Sequence, residues 1–410
     1  MRNIRLLLVL SVVYIDMLGT GLAYPILPRL IEQFQHGNVS HASYVFGLLA
    51  SAFAVTQFLF APIIGAISDR YGRRPVILLS LAGSAISYAL MAAAPSLIFL
   101  ALGRLLAGMM GGSFSTAQAY LADITPPEKR SQTFGLIGAA FGLGFITGPA
   151  IGGVLGHIDL QLPFLVAGVL CAADVVFAFF ALPETLSAEH RKPFNWRHAN
   201  PIGALRHVGR YGQVAMLMAI YVMSVFANRC AEMVWVLYTG YRFHWGTKEV
   251  GISLAVVGLV FVFGQGWFSR FLIPRLGERR AIVLGLGASV LISAGYGLVT
   301  QGWMLFIVMP FAIFGWIAAQ PAVQGVLSRS VPQNEQGLLQ GAMASMTSLT
   351  SVVGPMIWTG LFGYFVSPAA PLILPGAAFF ASAAIFLIAF SLAVRWEATT
   401  PLPVGAAPSS

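Results

Sequence analysis

Residues 65–75, GAISDRYGRRP, concentrate charge in a chain that carries very little of it. Asp69, Arg70, Arg73 and Arg74 lie in this stretch, directly after an apolar run, whereas only 9% of the 410 residues are Asp, Glu, Lys or Arg. Soluble globular proteins carry roughly 25% charged residues. The stretch is therefore interpreted as a short polar loop between two segments that lie in a bilayer.

Apolar segments long enough to cross a membrane recur along almost the whole chain, in which 58% of the residues are hydrophobic. A helix crosses about 30 Å of hydrocarbon with about 20 residues. Continuous apolar runs are typical of helices, whereas barrel strands alternate. We predict an all-α integral membrane protein with 12 transmembrane helices, at residues 5–28, 44–67, 75–94, 97–122, 132–156, 162–183, 212–239, 249–271, 281–300, 303–327, 336–361 and 372–394.

Basic residues fall almost entirely on alternate loops. Of the 23 Lys and Arg residues, 18 lie in one set, formed by the two ends of the chain and the 2–3, 4–5, 6–7, 8–9 and 10–11 loops. Arg29, Arg242 and Lys248 lie in the opposite loops, and Arg104 and Arg229 lie inside spans. Cytoplasmic loops are enriched in Lys and Arg, so both termini are predicted to lie on the cytoplasmic side of the inner (plasma) membrane. The scattered positive charge indicates no nucleic-acid partner.

Two sequence motifs of the first half of the chain recur in the second half. RYGRR after span 2 has a counterpart, RLGERR, after span 8, and Gly148-Pro149 in span 5 recurs as Gly354-Pro355 in span 11. Two matches at nearly the same offset indicate an internal duplication, which is typical of secondary transporters. The predicted parts are a six-helix bundle at 1–183, a cytoplasmic linker at 184–211, a second six-helix bundle at 212–395 and a short cytoplasmic tail at 396–410.

Several of these motifs resemble one transporter family. GAISDRYGRR resembles the loop 2–3 signature of the major facilitator superfamily, and GFITGPAIGG, residues 144–153, resembles the span 5 signature of its drug/proton antiporters. IDMLGTGLAYPILP in span 1, LGRLLAGMMGG in span 4 and VWVLYTGYRFHW after span 7 resemble the tetracycline/proton antiporter branch. The resemblance implies two pseudo-symmetric bundles that export a small amphiphilic compound in exchange for protons by alternating access. It implies a monomer driven by the proton gradient without a cofactor.

Five charged residues lie inside the predicted spans, where each costs about 2.5–3.5 kcal/mol if it is unpaired. They are Asp16, Arg104, Asp174, Arg229 and Glu232. Arg229 and Glu232 are spaced i to i+3, so they either neutralise each other or contact the substrate.

Proton coupling is predicted at Asp16, Arg104 and Asp174. Burial favours the neutral form of a carboxyl, and a nearby Arg favours its charged form, so Asp16 can take up and release a proton beside Arg104. The alternative is a fixed ion pair between Asp16 and Arg104 that joins spans 1 and 4. Asp174 is either a second proton site, a docking charge for a cationic substrate, or a residue at the end of span 6 that is exposed to water.

A polar face in span 4 begins at Arg104 and continues through Gly108, Gly111, Ser115 and Gln118 at three- and four-residue steps. A guanidinium on this face attracts a carboxylate or binds an anionic or carbonyl group of the substrate. The predicted substrate-binding residues are Asp16, Arg104, Gln118, Arg229, Glu232 and the intramembrane amides Gln265, Gln320 and Gln324.

Gating is predicted at two places. Gly144, Gly148 and Gly152 form a flat face beside Pro149, which suits a seam between the halves or ordinary packing of small residues. The family resemblance implies that the 2–3 loop is a cytoplasmic latch, in which Asp69 meets a helix N-terminus of the other half and an Arg, foremost Arg73, pairs with Asp123. The predicted latch residues are Gly65, Asp69, Arg70, Gly72, Arg73, Arg74 and Asp123; the alternative is that this loop only fixes topology.

Departures from the tetracycline branch concern the substrate. The branch carries an acid in span 3, whereas spans 3 and 9 of this chain have none, and Phe261 lies near the position of an expected His in span 8. These differences favour a related but different amphiphile. The competing interpretations are an importer or an exporter of a native metabolite on the same fold. An intramembrane enzyme, receptor or metal site is disfavoured because the seven His residues fall in loops or at span ends.

Overall fold

Long apolar helices make up nearly all of the described chain, which comprises residues 2–186, 189, 191, 212–264 and 275–399 of this computed structural model. The helices of the first half are α1 (Arg2–Ala23), α2 (Leu27–Phe34), α3 (Val39–Tyr71), α4 (Arg73–Ala92), α5 (Leu97–Met110), α6 (Ser113–Ile124), α7 (Arg130–Ile158) and α8 (Leu162–Ala181). Those of the second half are α9 (Gly212–Phe243), α10 (Thr247–Phe263), α11 (Glu278–Leu298), α12 (Gly302–Val308), α13 (Ala312–Arg329), α14 (Gln336–Phe365) and α15 (Ala377–Thr399).

The described residues confirm an all-α membrane fold. Nine of their helical segments are long and apolar enough to cross a membrane, when α1 is joined to α2 and α5 to α6. The predicted spans 8, 10 and 11 lie on α10, on α12 with α13, and on α14. Predicted span 4 is not one uninterrupted helix, because the chain turns at Gly111 and Gly112 between α5 and α6. Two adjacent glycines weaken a helix, which accounts for the position of the break.

One compact unit contains Met1–Ala199, Met233–Leu259 and Pro355–Ile373. In it α1 packs against α7 and α8. Its apolar core includes Val9 of α1 and Tyr120 of α6, both fully buried. The first helix is thus fixed at the centre of this unit.

The second compact unit contains Asn200–Glu232, Val260–Gly354 and Leu374–Ser410. Its core is formed where α11 packs against α13 and α15. The division of the chain into halves at 184–211 stays a prediction, and most of that linker, together with residues 400–410 of the tail, lies outside the described residues.

The two loops of the predicted duplication share a backbone geometry. Gly72 has a φ of +112° and Gly277 a φ of +75°, and each directly precedes a helix, α4 or α11. Side chains other than glycine rarely adopt this left-handed region. The same turn therefore occurs at equivalent places of the two repeats.

Candidate functional site

Asp16 lies half-buried in α1 and its carboxylate meets a hydroxyl group. Oδ2 accepts a hydrogen bond of 2.9 Å from Oγ of Ser113, which is buried at the start of α6. Among the described residues no cation lies within ion-pair distance of Asp16. The structure therefore does not contain the alternative ion pair with Arg104. A carboxyl held by a neutral partner can change its protonation state without breaking a salt bridge.

Arg104 of α5 is held by an aromatic ring instead of an acid. Its guanidinium lies over the ring of Phe53 in α3, with 4.1 Å between Cζ and the ring centroid. Its Nε is buried and has no hydrogen-bond partner. A cation over a ring face is stabilised by about 0.5–2 kcal/mol, and its N–H groups stay available for another acceptor.

The predicted polar face of span 4 packs largely on α3. A Cβ at Gly108 would lie 2.6 Å from the carbonyl oxygen of Phe53, and one at Gly111 would lie 2.8 Å from the side-chain nitrogen of Gln57. The small residues of this face therefore bring two helices together and do not leave open space beside them. Gln118, farther along the face on α6, is half-buried.

Asp174 supplies a second buried carboxyl. It is 3% exposed on α8, and its Oδ2 is buried without a hydrogen-bond partner. The alternative that Asp174 is an end-of-span residue exposed to water is therefore wrong. Asp174 lies on α8 and Asp16 on α1, and these two helices pack against each other. Two acids from spans 1 and 6 thus share one region of the unit.

Tyr88 of α4 closes this region from the side of span 3. A Cβ at Gly19 would lie 2.9 Å from its hydroxyl oxygen, so the ring occupies the space that this glycine leaves. The sequence reasoning did not single out Tyr88, Ser113 or Phe53. The only sequence features that could have indicated these residues were the small residues after Asp16 and the glycine pair before Ser113.

The five other predicted substrate-binding residues give less information about a substrate site. Arg229 pairs with Glu232 at 2.6 Å and its Nη2 donates to Oγ of Ser351 at 2.7 Å, as expected of mutual neutralisation on one helix face. Gln320 is half-buried and Gln324 is exposed on α13. Gln265 lies outside the described residues.

The glycine stripe of α7 meets span 1. A Cβ at Gly144 would lie 2.8 Å from the carbonyl oxygen of Tyr14, one at Gly148 would lie 2.7 Å from Cα of Gly21, and one at Gly152 would lie 2.5 Å from the carbonyl oxygen of Leu22. The prediction of a seam between the halves is wrong for this stripe, because the four-residue spacing directs all three glycines to α1 of the same half.

A different face of α7 meets a helix of the second half within the first unit. A Cβ at Gly251 of α10 would lie 2.5 Å from the carbonyl oxygen of Pro149 and 2.8 Å from Cα of Gly153. Oγ1 of Thr247 donates to the carbonyl oxygen of Gly153 at 3.0 Å. Pro149, which was among the predicted gating residues, and Gly153, one position from Gly152, therefore make the close contact that was expected of the glycine stripe.

The 2–3 loop contains a triad of charges. Arg73 donates to Oδ1 of Asp69 at 2.6 Å and to Oδ2 of Asp123 at 3.4 Å. The predicted contact between Arg73 and Asp123 is thus present. Asp69 is 47% exposed, and its contact with a helix N-terminus of the other half stays a prediction.

The remaining loop residues differ in their surroundings. Arg70 is exposed and lies over the ring of Tyr71. Arg74 donates from Nη2 to the carbonyl oxygen of Phe179. Gly65 has open space where a side chain would be, so no packing requirement accounts for that glycine.

Glu184, which follows α8, caps the start of α4. Its carboxylate accepts the backbone N–H groups of Arg73 at 2.9 Å and Arg74 at 3.1 Å, and those of Thr185 and Leu186. Partial burial raises the pKa of the carboxyl, but these four donors outweigh it and hold the pKa below its ordinary value of 4.5. The sequence reasoning missed this acid because its partners are 110 residues away.

We expect Glu184→Ala to lower the free energy of unfolding by about 0.5–1 kcal/mol, the lower part of the range for helix caps because Glu184 is largely exposed. The pKa of Glu184 is lower in the folded state, so its contribution is complete above pH 4.5 and is lost as the pH falls through the folded-state pKa. Thermal unfolding in detergent at neutral pH measures the change. Glu189→Ala, at an exposed acid nearby, is the control; equal melting temperatures for the two variants would contradict the cap.

No group of three or more His, Cys, Asp and Glu residues within the described ranges is arranged to hold a metal ion. The arrangement that does exist consists of two carboxyls, a guanidinium without an acidic partner, and hydroxyl groups, on helices α1, α4, α5, α6 and α8. Such an arrangement can exchange protons and bind a polar group inside the membrane.

Comparisons with known proteins agree on the family. The Major Facilitator Superfamily sequence profile matches residues 9–355. The tetracycline resistance protein of class C from Escherichia coli is 39% identical over 94% of this chain and 95% of its own, and that of class H from Pasteurella multocida is 33% identical over 89% and 90%. The crystal structure of the human organic anion transporter MFSD10 (TETRAN) covers 96% of this chain and 99% of its own, with 28% identity and a TM-score of 0.68.

These matches extend over the same helices that carry Asp16, Arg104 and the 2–3 loop. The length of these matches and their sequence identity are sufficient to assign the family. The chain belongs to the Major Facilitator Superfamily, as a multi-pass membrane protein related to the tetracycline resistance proteins.

Proposed function

We propose that this protein is a proton-coupled antiporter that exports small amphiphilic compounds of the tetracycline type from the cytoplasm. The observation that carries the proposal is Asp16, a carboxyl inside a membrane span that is bonded to Ser113 and has no cationic partner among the described residues. The relatives over nearly the whole length are tetracycline resistance proteins. The protein works as a monomer in the inner membrane, with both termini in the cytoplasm, and the proton gradient replaces any cofactor.

Proton exchange takes place at Asp16 with Asp174 as a second acid. Two carboxylates in one low-dielectric region repel each other, so protonation of one is favoured while the other is charged. The resemblance to the tetracycline branch implies a further acid in span 3, where this chain has none. Asp174 supplies that acid from span 6.

Arg104 supplies the counterpart for the substrate. Its Nε lacks a hydrogen-bond partner, and its charge is stabilised by Phe53 instead of a carboxylate. A guanidinium without an acidic partner can donate N–H hydrogen bonds to a carbonyl or enolate oxygen of the substrate. We propose that substrate bound at Arg104 extends toward Asp16, which would couple substrate binding to the release of a proton.

Alternating access requires contacts that close one side of the membrane and break when that side opens. In the first unit such contacts occur at the end of α3 that lies opposite the 2–3 loop. Oγ of Ser40 donates to the carbonyl oxygen of Gly363 at 2.8 Å, and Arg29 of α2 pairs with Glu32 and donates to the carbonyl oxygen of Trp245. By the predicted topology this side faces outward, so these contacts would have to break for the outer side to open.

We expect Arg29→Gln to loosen this outer contact. A cysteine introduced at Val250, which is 0% exposed, should react several-fold faster with a membrane-impermeant maleimide in the Arg29→Gln background. Lys248→Gln removes an exposed cation of the same region and is the matched control. Equal labelling rates in all three backgrounds would contradict a closing role for Arg29.

A substrate panel in cells without their own efflux pumps tests the function as a whole. Expression should raise the concentration of tetracycline needed to stop growth and lower its accumulation, and uncouplers of the proton gradient should remove both effects. Resistance to another amphiphile but not to tetracycline would support the proposed antiport but would assign it a different substrate. Increased accumulation would show an importer and refute export.

A further inference from the structure

A long apolar groove runs along the second unit between α11 and the α12–α13 segment. It has a volume of about 550 Å³, and every residue that lines it is apolar. Its floor follows one face of α11 from Ala281 to Gly295, which is about 21 Å at 1.5 Å per residue. Gly285 and Ala288 line this face, and Gly285 lets α13 pack closely, because a Cβ there would lie 2.8 Å from the backbone nitrogen of Ala319.

The groove is open to the surroundings of the unit. Leu284 and Leu291 at its edge are 57% and 74% exposed, and Phe311 on the opposite wall is 56% exposed. In a protein of this family such side chains at membrane depth face hydrocarbon. The groove is thus long enough for an acyl chain that extends from the headgroups to the bilayer midplane, about 15 Å away.

The groove begins beside a cluster of cations at the 8–9 loop. Arg279 stacks over the ring of Trp396 with 5.0 Å from Cζ to the centroid, and Arg329 pairs with Glu278. Arg280 is exposed and makes no ion pair or hydrogen bond with any part of the chain that the structure describes. It directly precedes Ala281, the point where the floor of the groove starts.

We propose that this groove is a binding site for one anionic phospholipid of the cytoplasmic leaflet, with an acyl chain against α11 and the phosphate on Arg280. The cytoplasmic leaflet carries a negative surface charge, and each basic residue near it contributes about 1 kcal/mol to lipid binding. The apolar groove binds the acyl chain of the lipid, and Arg280 favours a lipid with a negatively charged headgroup. The proposal does not depend on the transported substrate.

Native mass spectrometry of the purified full-length protein tests the site, with phosphatidylglycerol or phosphatidylcholine of identical acyl chains added at equal concentration. We expect phosphatidylglycerol to be retained about fivefold more than phosphatidylcholine, as one cation predicts. Arg280→Gln should make the two lipids equal. Ala288→Phe, which fills the groove, should lower the retention of both.

Two variants control for charge and bulk elsewhere. Lys129→Gln removes another exposed cytoplasmic cation, and Ala173→Phe adds a ring to an exposed position on α8; both should retain lipid as the unmodified protein does. Undiminished preference for phosphatidylglycerol in Arg280→Gln would overturn the site. The lipid site would also be overturned if the unmodified protein showed the mass of a two-chain complex and Ala288→Phe did not. That result would assign the groove to a second copy of the protein. Arg280→Gln lies at the surface and tests the proposal even if Ala288→Phe fails to fold.

Discussion

Asp16→Asn is expected to abolish accumulation of substrate against its gradient while the protein stays folded and inserted. The amide has the same shape and still accepts the hydrogen bond that Ser113 donates, but it cannot bind and release a proton. Transport by proteoliposomes with an imposed pH gradient should fall to the level of vesicles without protein. Downhill exchange of labelled for unlabelled substrate should persist, since it needs no proton.

Two further variants make this result specific. Glu128→Gln neutralises an exposed acid of the 4–5 loop and should transport at the normal rate. Ser113→Ala removes the partner but leaves the carboxyl, so it should slow transport and shift its pH dependence without abolishing it. Uphill transport by Asp16→Asn at the rate of the unmodified protein would refute proton coupling at this residue.

Gly148→Ala should have the second large effect, by separating α7 from α1. The added Cβ would lie 2.7 Å from Cα of Gly21 and 2.9 Å from the carbonyl oxygen of Leu18, and backbone cannot move aside as a flexible side chain does. We expect a loss of about 1–3 kcal/mol in the free energy of unfolding. Transport should also fall, because α1 carries Asp16.

Gly138→Ala provides a matched control on the same helix. A Cβ at Gly138 would meet no atom within 4 Å, so the variant should be as stable as the unmodified protein or slightly more stable, by up to about 1 kcal/mol. Thermal unfolding of both variants in detergent measures the difference. Equal melting temperatures for Gly148→Ala and Gly138→Ala would show that α1 and α7 do not need this close approach.

Composition and hydropathy were sufficient to predict an all-helical membrane protein, because the bilayer dictates the length and the apolar character of each span, whereas the two-bundle fold was predicted from the repeated motifs and the family resemblance. They also predicted the acids, since a charge in hydrocarbon is conspicuous wherever it occurs. The residues that contact these charged groups could not be predicted from the sequence. Phe53, Tyr88 and Ser113 are ordinary residues in apolar helices, and only the packing of α3, α4 and α6 on their neighbours brings them to Arg104 and Asp16.

The glycine stripe of α7 shows a second limit. Four-residue spacing predicted a close approach, and the approach exists, but the spacing does not say which helix is on the other side. Both α1 and α10 pack closely on α7, through Gly148 and Gly153. Glu184 was missed for a similar reason, because a cap contributed from 110 residues away leaves no local pattern beside α4.

Proton release on substrate addition tests the central claim most directly. Purified protein in unbuffered detergent solution, near neutral pH, is mixed with tetracycline while a pH dye is recorded. The unmodified protein should release protons in proportion to bound substrate, and Asp16→Asn should bind tetracycline without releasing any. Equal release from the two proteins, or binding without release by the unmodified protein, would contradict exchange of substrate for a proton at Asp16.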